Sequence, residues 1–173
     1  MRVYSCFIFL ALAGCFGPKT PPAVSAPPFP DEEYFPYSRA GNSIISGQVF
    51  SKTVDGQVKL GAGSEVFLEP KTSYSSFINR NNNVTNISSK RDKYRRSTRA
   101  GADGTYKFRN LPAGHYYISS SVTWQIPVYT QNYFTGGYDA KMSTQGGRGI
   151  QSVTVRNGEV LDDVHVMPFD SSR

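Results

Sequence analysis

Apolar side chains in this chain recur at every second position over short runs, and from residue 44 onward that period of two outweighs a helical period throughout. Ile45 and Val49 fall on one face, as do Val66 and Leu68 within Ser64–Glu69. Tyr106 and Phe108 alternate with Thr105, Lys107 and Arg109. A longer run sets Tyr116, Ile118, Val122 and Trp124 against Tyr117, Ser119, Ser121 and Thr123, and Val153 and Val155 are expected to pair with Val160, Val164 and Val166. Asp55-Gly56, Asp103-Gly104 and Asn157-Gly158 punctuate these runs. Such dipeptides tolerate the positive φ of two-residue hairpin turns, so each predicts a hairpin. The pattern predicts one all-β domain, a single seven- or eight-stranded antiparallel Greek-key β-sandwich. Residues 71–99 break the rhythm. Ser73–Asn79 offers one short helical turn, and the polar run from Asn79 to Asn83 reads as part of a long exposed loop.

The N-terminal end follows a different logic. Arg2 precedes an apolar stretch from Val3 to Ala13, too short to span a bilayer as a helix. It closes on Leu12-Ala13-Gly14-Cys15, which resembles the lipobox of bacterial lipoproteins. The resemblance implies removal of residues 1–14 as a signal peptide and acylation of Cys15, the lipid anchoring the chain to a membrane. Two or more acyl chains make such an anchor stable, at about 0.8 kcal/mol per buried methylene. The other cysteine, Cys6, falls inside the leader, so no disulfide or thiol metal site is expected in the mature chain. Seven of the 11 prolines lie between residues 16 and 40. Proline removes a backbone donor, so residues 15–43 read as a lipidated cysteine followed by a Pro-rich, extended tether. Its aromatic tail, Tyr34-Phe35-Pro36-Tyr37, is the part able to pack on the domain instead. The sandwich is then expected over 44–168, with 169–173 a short tail.

Several of the alternating runs resemble the carboxypeptidase regulatory-like domain. They are Gly47-Gln48-Val49, Gly61 to Leu68, Ala102-Asp103-Gly104-Thr105-Tyr106-Lys107-Phe108, Leu111-Pro112-Ala113-Gly114-His115-Tyr116-Tyr117-Ile118, and the closing Val153 to Val160. Tyr74-Ser75 and Val122-Thr123-Trp124 are similar to positions in small bacterial lipoproteins of that group. The resemblance covers roughly residues 44–167 and implies a prealbumin-like (transthyretin-like) sandwich. These are scaffold residues, and a scaffold does not decide chemistry.

Candidate chemistry is sparse. His115 and His165 are the only histidines, neither in a His-x-x-Glu or His-Glu-x-x-His context, and no metal or other cofactor is expected. There is no Gly-x-Ser-x-Gly elbow, and Gly146-Gly147-Arg148-Gly149 lacks the lysine, hydroxyl and helix of a phosphate loop. That stretch reads as a flexible lead-in to a strand, and Asp162-Asp163 as a solvated edge. The expectation is therefore a non-enzymatic protein. Two surface features are candidates for binding: the aromatics Tyr129, Tyr133, Phe134 and Tyr138 beyond Trp124, and the basic run carrying Arg91, Arg95 and Arg96. Aromatic faces stack on sugars or partner proteins, and arginines recognise anionic lipid or glycan phosphate. A formal net charge of +6 favours anionic partners. Nucleic acid is not expected for an exported chain. The leading function is an envelope lipoprotein presenting its sandwich to a protein partner or scaffold; a carbohydrate-binding module is the alternative, and a hydrolase a distant third. Phe16 after the lipid cysteine suits sorting to an outer membrane.

Overall fold

The computed structural model describes residues 22–81 and 83–168. The leader, Cys15 and the 169–173 tail lie outside the described residues. Short elements come first: β1 (Val24–Ser25), α1 (Asp31–Tyr34) and a 3-10 turn over Phe35–Ser38. Then follow β2 (Ser43–Gln48), β3 (Phe50–Lys52), β4 (Val58–Leu60) and β5 (Glu65–Pro70). The middle of the chain forms α2 (Ser73–Arg80), β6 (Val84–Thr85) and a 3-10 turn over Ser89–Lys93. Five strands close it: β7 (Arg96–Arg99), β8 (Thr105–Leu111), β9 (Gly114–Gln131), β10 (Tyr138–Val155) and β11 (Val160–Leu161).

The fold is all-β. One sheet runs β10-β9-β5-β7 and a second runs β11-β2-β8. Their facing sides share a core: Val66, Leu68, Tyr116, Ile118, Val122 and Val155 from the first, Ile45, Tyr106, Phe108 and Leu111 from the second. All of these residues but Leu111 belong to an alternating run, which is why the pattern located most of the core.

Pairing differs from expectation in two places. Gly56, Gly104 and Gly158 all take positive φ, as their turns require. Only the first closes a hairpin, between β3 and β4. Asp103-Gly104 leads from β7, paired with β5, to β8, paired with β2; it carries the chain between sheets. Asn157-Gly158 likewise leads from β10 to β11, which pairs with β2 in parallel. The second sheet is thus mixed, while the first is wholly antiparallel as expected. A turn dipeptide sets local dihedrals, but the partner strand is chosen by which core face must be covered.

The described part of the expected tether is docked, a second correction. Val24 and Ser25 pair in parallel with Val84 and Thr85. Phe29 stacks on Tyr34 at 4.5 Å and meets Tyr74 edge-on at 5.2 Å, and Tyr34 lies 5.0 Å from Tyr94. Tyr34 is fully buried. Tyr37 packs edge-on against Tyr116 at 5.3 Å and accepts the backbone N–H of His115. Proline keeps this segment out of a sheet interior, yet its aromatic rings carry enough apolar surface to bury it, each ring pair adding about 0.5–1.5 kcal/mol beyond area. The folded unit therefore includes residues 24–37.

Residues 71–99 are also more ordered than a long loop. Thr72 and Ser75 form a reciprocal cap, Ser75 N–H to Thr72 Oγ1 at 3.1 Å and Thr72 N–H to Ser75 Oγ at 2.9 Å, which starts α2. The Glu33 carboxylate accepts the Ser73 N–H at 2.6 Å, and Ser76 bonds to Tyr117 across the outer face of the first sheet. The helix and the 3-10 turn that follows roof part of that face.

Candidate binding surface

β9 and β10 pair in unbroken register over all their residues, from Gly114 with Val155 to Gln131 with Tyr138. β5 holds β9 only from Tyr116 to Ser120. Beyond Val122 the ribbon loses its third strand and projects as a two-stranded arm. The sequence shows why: in Trp124-Gln125-Ile126-Pro127-Val128-Tyr129 apolar residues fall on both faces, so neither face is set to be buried. Pro127 removes a donor in the stretch where β9 has no neighbour opposite β10, which discourages another strand from adding there.

Each face of the arm has its own character. Trp124, Ile126 and Val128 continue the core-facing side, where Trp124 and Ile126 join Thr53, Asp55, Gln57 and Lys59 in lining an open cleft of about 450 Å³. The opposite side carries Pro127, Tyr129, Tyr138 and Met142, with Tyr129 across from Ala140 and Met142 across from Pro127. Tyr129 is 65% exposed and Tyr138 71%. At the tip, Asn132 accepts the N–H groups of Phe134 and Thr135, and Gly136 takes φ +71°. That turn leaves Tyr133 and Phe134 in solvent, 87% and 102% exposed. All four expected aromatics thus gather at the end of one arm.

The basic run does not form one face. Arg91 makes a two-pronged ion pair with Glu69, Nε to one carboxylate oxygen and an NH2 to the other, with both side chains nearly buried. Burial pulls the Arg91 guanidinium down, but the hydrogen bond and charge of Glu69 outweigh it and leave the group raised. Arg96 donates to the carbonyls of Arg109 at 3.1 Å and Asn110 at 3.2 Å. Arg91 is therefore engaged within the fold, while Arg96 stays exposed beside the end of β8. Arg95 lies over the Phe67 ring, its Cζ 3.6 Å from the ring centre. Arg148, read from the sequence as part of a flexible lead-in, sits within β10 opposite Ser121 and beside Arg95's cavity. The alternation of β9, continued across the register, is the signal that would have placed it.

The remaining candidates separate. His115 Nδ1 bonds to Thr154 Oγ1 at 2.7 Å on the ribbon, while His165 meets Phe50 edge-on at 5.5 Å. Asp162 accepts the Ser46 hydroxyl, and Asp163 and His165 border an open cavity of about 630 Å³ with Gln48, Arg99 and Lys107. Among the described residues, no group of three or more His, Cys, Asp or Glu side chains is arranged to hold a metal. No helix in the described residues is long and apolar enough to cross a membrane.

Fold and surface together define an all-β sandwich carrying an exposed aromatic arm. No family model matches the chain, and no curated protein matches it. Among solved structures it is similar to a candidate carbohydrate-binding protein from Pseudomonas aeruginosa. The two share 27% identity at a TM-score of 0.68, over 82% of this chain and 99% of that one.

Proposed function

We propose that this protein is a non-enzymatic envelope lipoprotein, held by lipid on Cys15, whose prealbumin-like, Greek-key sandwich of the carboxypeptidase regulatory-like kind binds carbohydrate through the β9–β10 arm. The observation that carries the reading is the arm face that keeps Tyr129 and Tyr138 in solvent beside Pro127 and Met142. A ring held on a paired strand has few rotamers left to lose, so it offers a flat apolar plate to the C–H face of a sugar at low ordering cost. The name of the Pseudomonas protein supports the same ligand class. The leader and its Leu-Ala-Gly-Cys end support the anchor, and Phe16 after the cysteine supports an outer-membrane address.

Replacing Tyr129 and Tyr138 together by alanine should weaken binding to a responsive glycan by roughly 10- to 100-fold, as expected for two stacking contacts of about 1 kcal/mol or more each. Unchanged binding on a glycan array would remove the arm from the reading. Cys15→Ser should move the protein from the membrane to the soluble fraction, and retention in membranes would remove the lipid anchor. Contact with an envelope protein has separate support, because β10 forms an edge of its sheet and an edge strand can accept another.

A further inference from the structure

A cavity of about 400 Å³ opens on the outer face of the first sheet, lined by Glu65, Phe67, Arg95, Ser119, Ser121 and Arg148. Three strands and the segment before β7 build it. Phe67 pairs with Ser119 across β5 and β9, Ser121 pairs with Arg148 across β9 and β10, and Arg95 lies on Phe67. We infer that this cavity binds one anionic substituent of a glycan, a carboxylate, sulfate or phosphate, between the guanidinium groups of Arg95 and Arg148.

The charge balance supports it. Arg91, Arg95 and Arg148 crowd one region, and its buried carboxylate, Glu69, is engaged by Arg91. Among the described residues neither Arg95 nor Arg148 has a carboxylate within ion-pair distance. Arg148 instead donates to neutral oxygens, Ser119 Oγ at 3.3 Å and Asn79 Oδ1 at 3.4 Å, both long for such bonds. Burial, followed by the charge of Arg91, holds both guanidinium groups below their ordinary range. Two neighbouring cations short of countercharge, Arg95 partly buried and Arg148 exposed at the cavity mouth, are stabilised by an anion placed between them, and planar guanidinium forks suit oxyanions. Glu65 at the rim and Asp92 on the neighbouring turn are the acids that oppose entry.

Placement makes the anion part of a glycan. Ser121 and Tyr129 lie on the same face of β9, eight positions apart, which is about 26 Å of strand. The cavity stands at the root of that face and the tyrosines at its end, so one extended acidic chain lying along the ribbon meets both. This inference rests on the carbohydrate reading above.

Titration of the full chain with a galacturonate hexamer, a glucose hexamer and inorganic sulfate tests it. The acidic hexamer should bind about tenfold tighter than the neutral one, sulfate should compete with it, and Glu65→Gln should strengthen it. Arg148→Gln should erase the preference by bringing acidic-hexamer affinity down to that of the neutral hexamer, and Arg148→Lys should restore part of it; an unchanged melting curve excludes unfolding. Equal affinity for the two hexamers in the wild type, or a preference that survives in both Arg148→Gln and Arg95→Gln, would overturn the inference and leave the arm's role standing. Sulfate binding with no binding of either hexamer would overturn the glycan reading together with this ligand assignment. Capture of phosphatidylglycerol vesicles, lost in Arg148→Gln while the acidic hexamer is ignored, would assign the cavity to lipid headgroups and overturn it as well.

Discussion

Glu69→Ala is expected to destabilise the protein by about 3–5 kcal/mol, lowering its midpoint of thermal unfolding by roughly 10 °C. Glu69 is 5% exposed, and both of its carboxylate oxygens are occupied by Arg91. Removing the acid leaves a guanidinium with little access to water and no countercharge. That penalty, rather than the attraction lost, sets the size of the effect. A domain of this size has only about 5–15 kcal/mol of stability in total, so the loss is a large share of it. The 3-10 turn over Ser89–Lys93 is pinned to β5 by this pair, and Arg95 follows that turn directly. The variant should therefore also loosen the roof over the outer face. Replacing both partners, Glu69→Met with Arg91→Met, should return stability to within about 1 kcal/mol of the wild type, because no charge is then stranded. Thermal melts of the single and double variants check both statements. A single variant that melts like the wild type would mean that water reaches the pair.

What could be read ahead of the structure was whatever depends on neighbours in sequence. Alternation found Ile45, Phe108, Ile118 and their partners because a half-buried strand imposes a period of two on its own residues. The turn glycines were legible for the same reason, being local dihedral requirements. The routing of Asp103-Gly104 and Asn157-Gly158 was not legible, since the choice between hairpin and sheet crossing depends on strands far away along the chain. Docking of the Pro-rich segment was hidden by its prolines, which describe backbone pairing and say nothing of where Phe29 and Tyr34 bury their rings. The Pro112-Ala113-Gly114 corner shows the two levels meeting. A Cβ on Gly114 would lie 2.6 Å from the Tyr37 ring, so a motif residue of the sandwich is shaped by the segment taken for a tether. The aromatic half of the candidate surface was visible as a run of exposed rings. The Arg95–Arg148 cavity was not, because its halves are 53 positions apart and the β5–β9 and β9–β10 registers are both needed to bring them together.

Excising the outer arm should abolish glycan binding and leave the sandwich folded. Ile126 and Ser143 face each other across β9 and β10, so residues 127–142 can be replaced by a two-residue Asn-Gly turn without altering the register below. The core contributions of the ribbon end inside that cut: Tyr116, Ile118, Val122 and Val155 remain, as does Trp124 against the core. The removed side chains are almost all exposed, and substitutions of that kind ordinarily move stability by about 0.5 kcal/mol or less, here roughly 1–2 °C in melting midpoint. Loss of neutral and acidic hexamer binding in a protein that still melts cooperatively would place the recognition in Pro127–Met142. A shortened protein that binds the neutral hexamer as tightly as the parent would move recognition to the cleft beside Trp124, where Asp55, Gln57 and Lys59 face the root of the arm. A fall in melting temperature beyond about 5 °C would show that the arm also supports the core, since two strands in water without a third have little stability of their own.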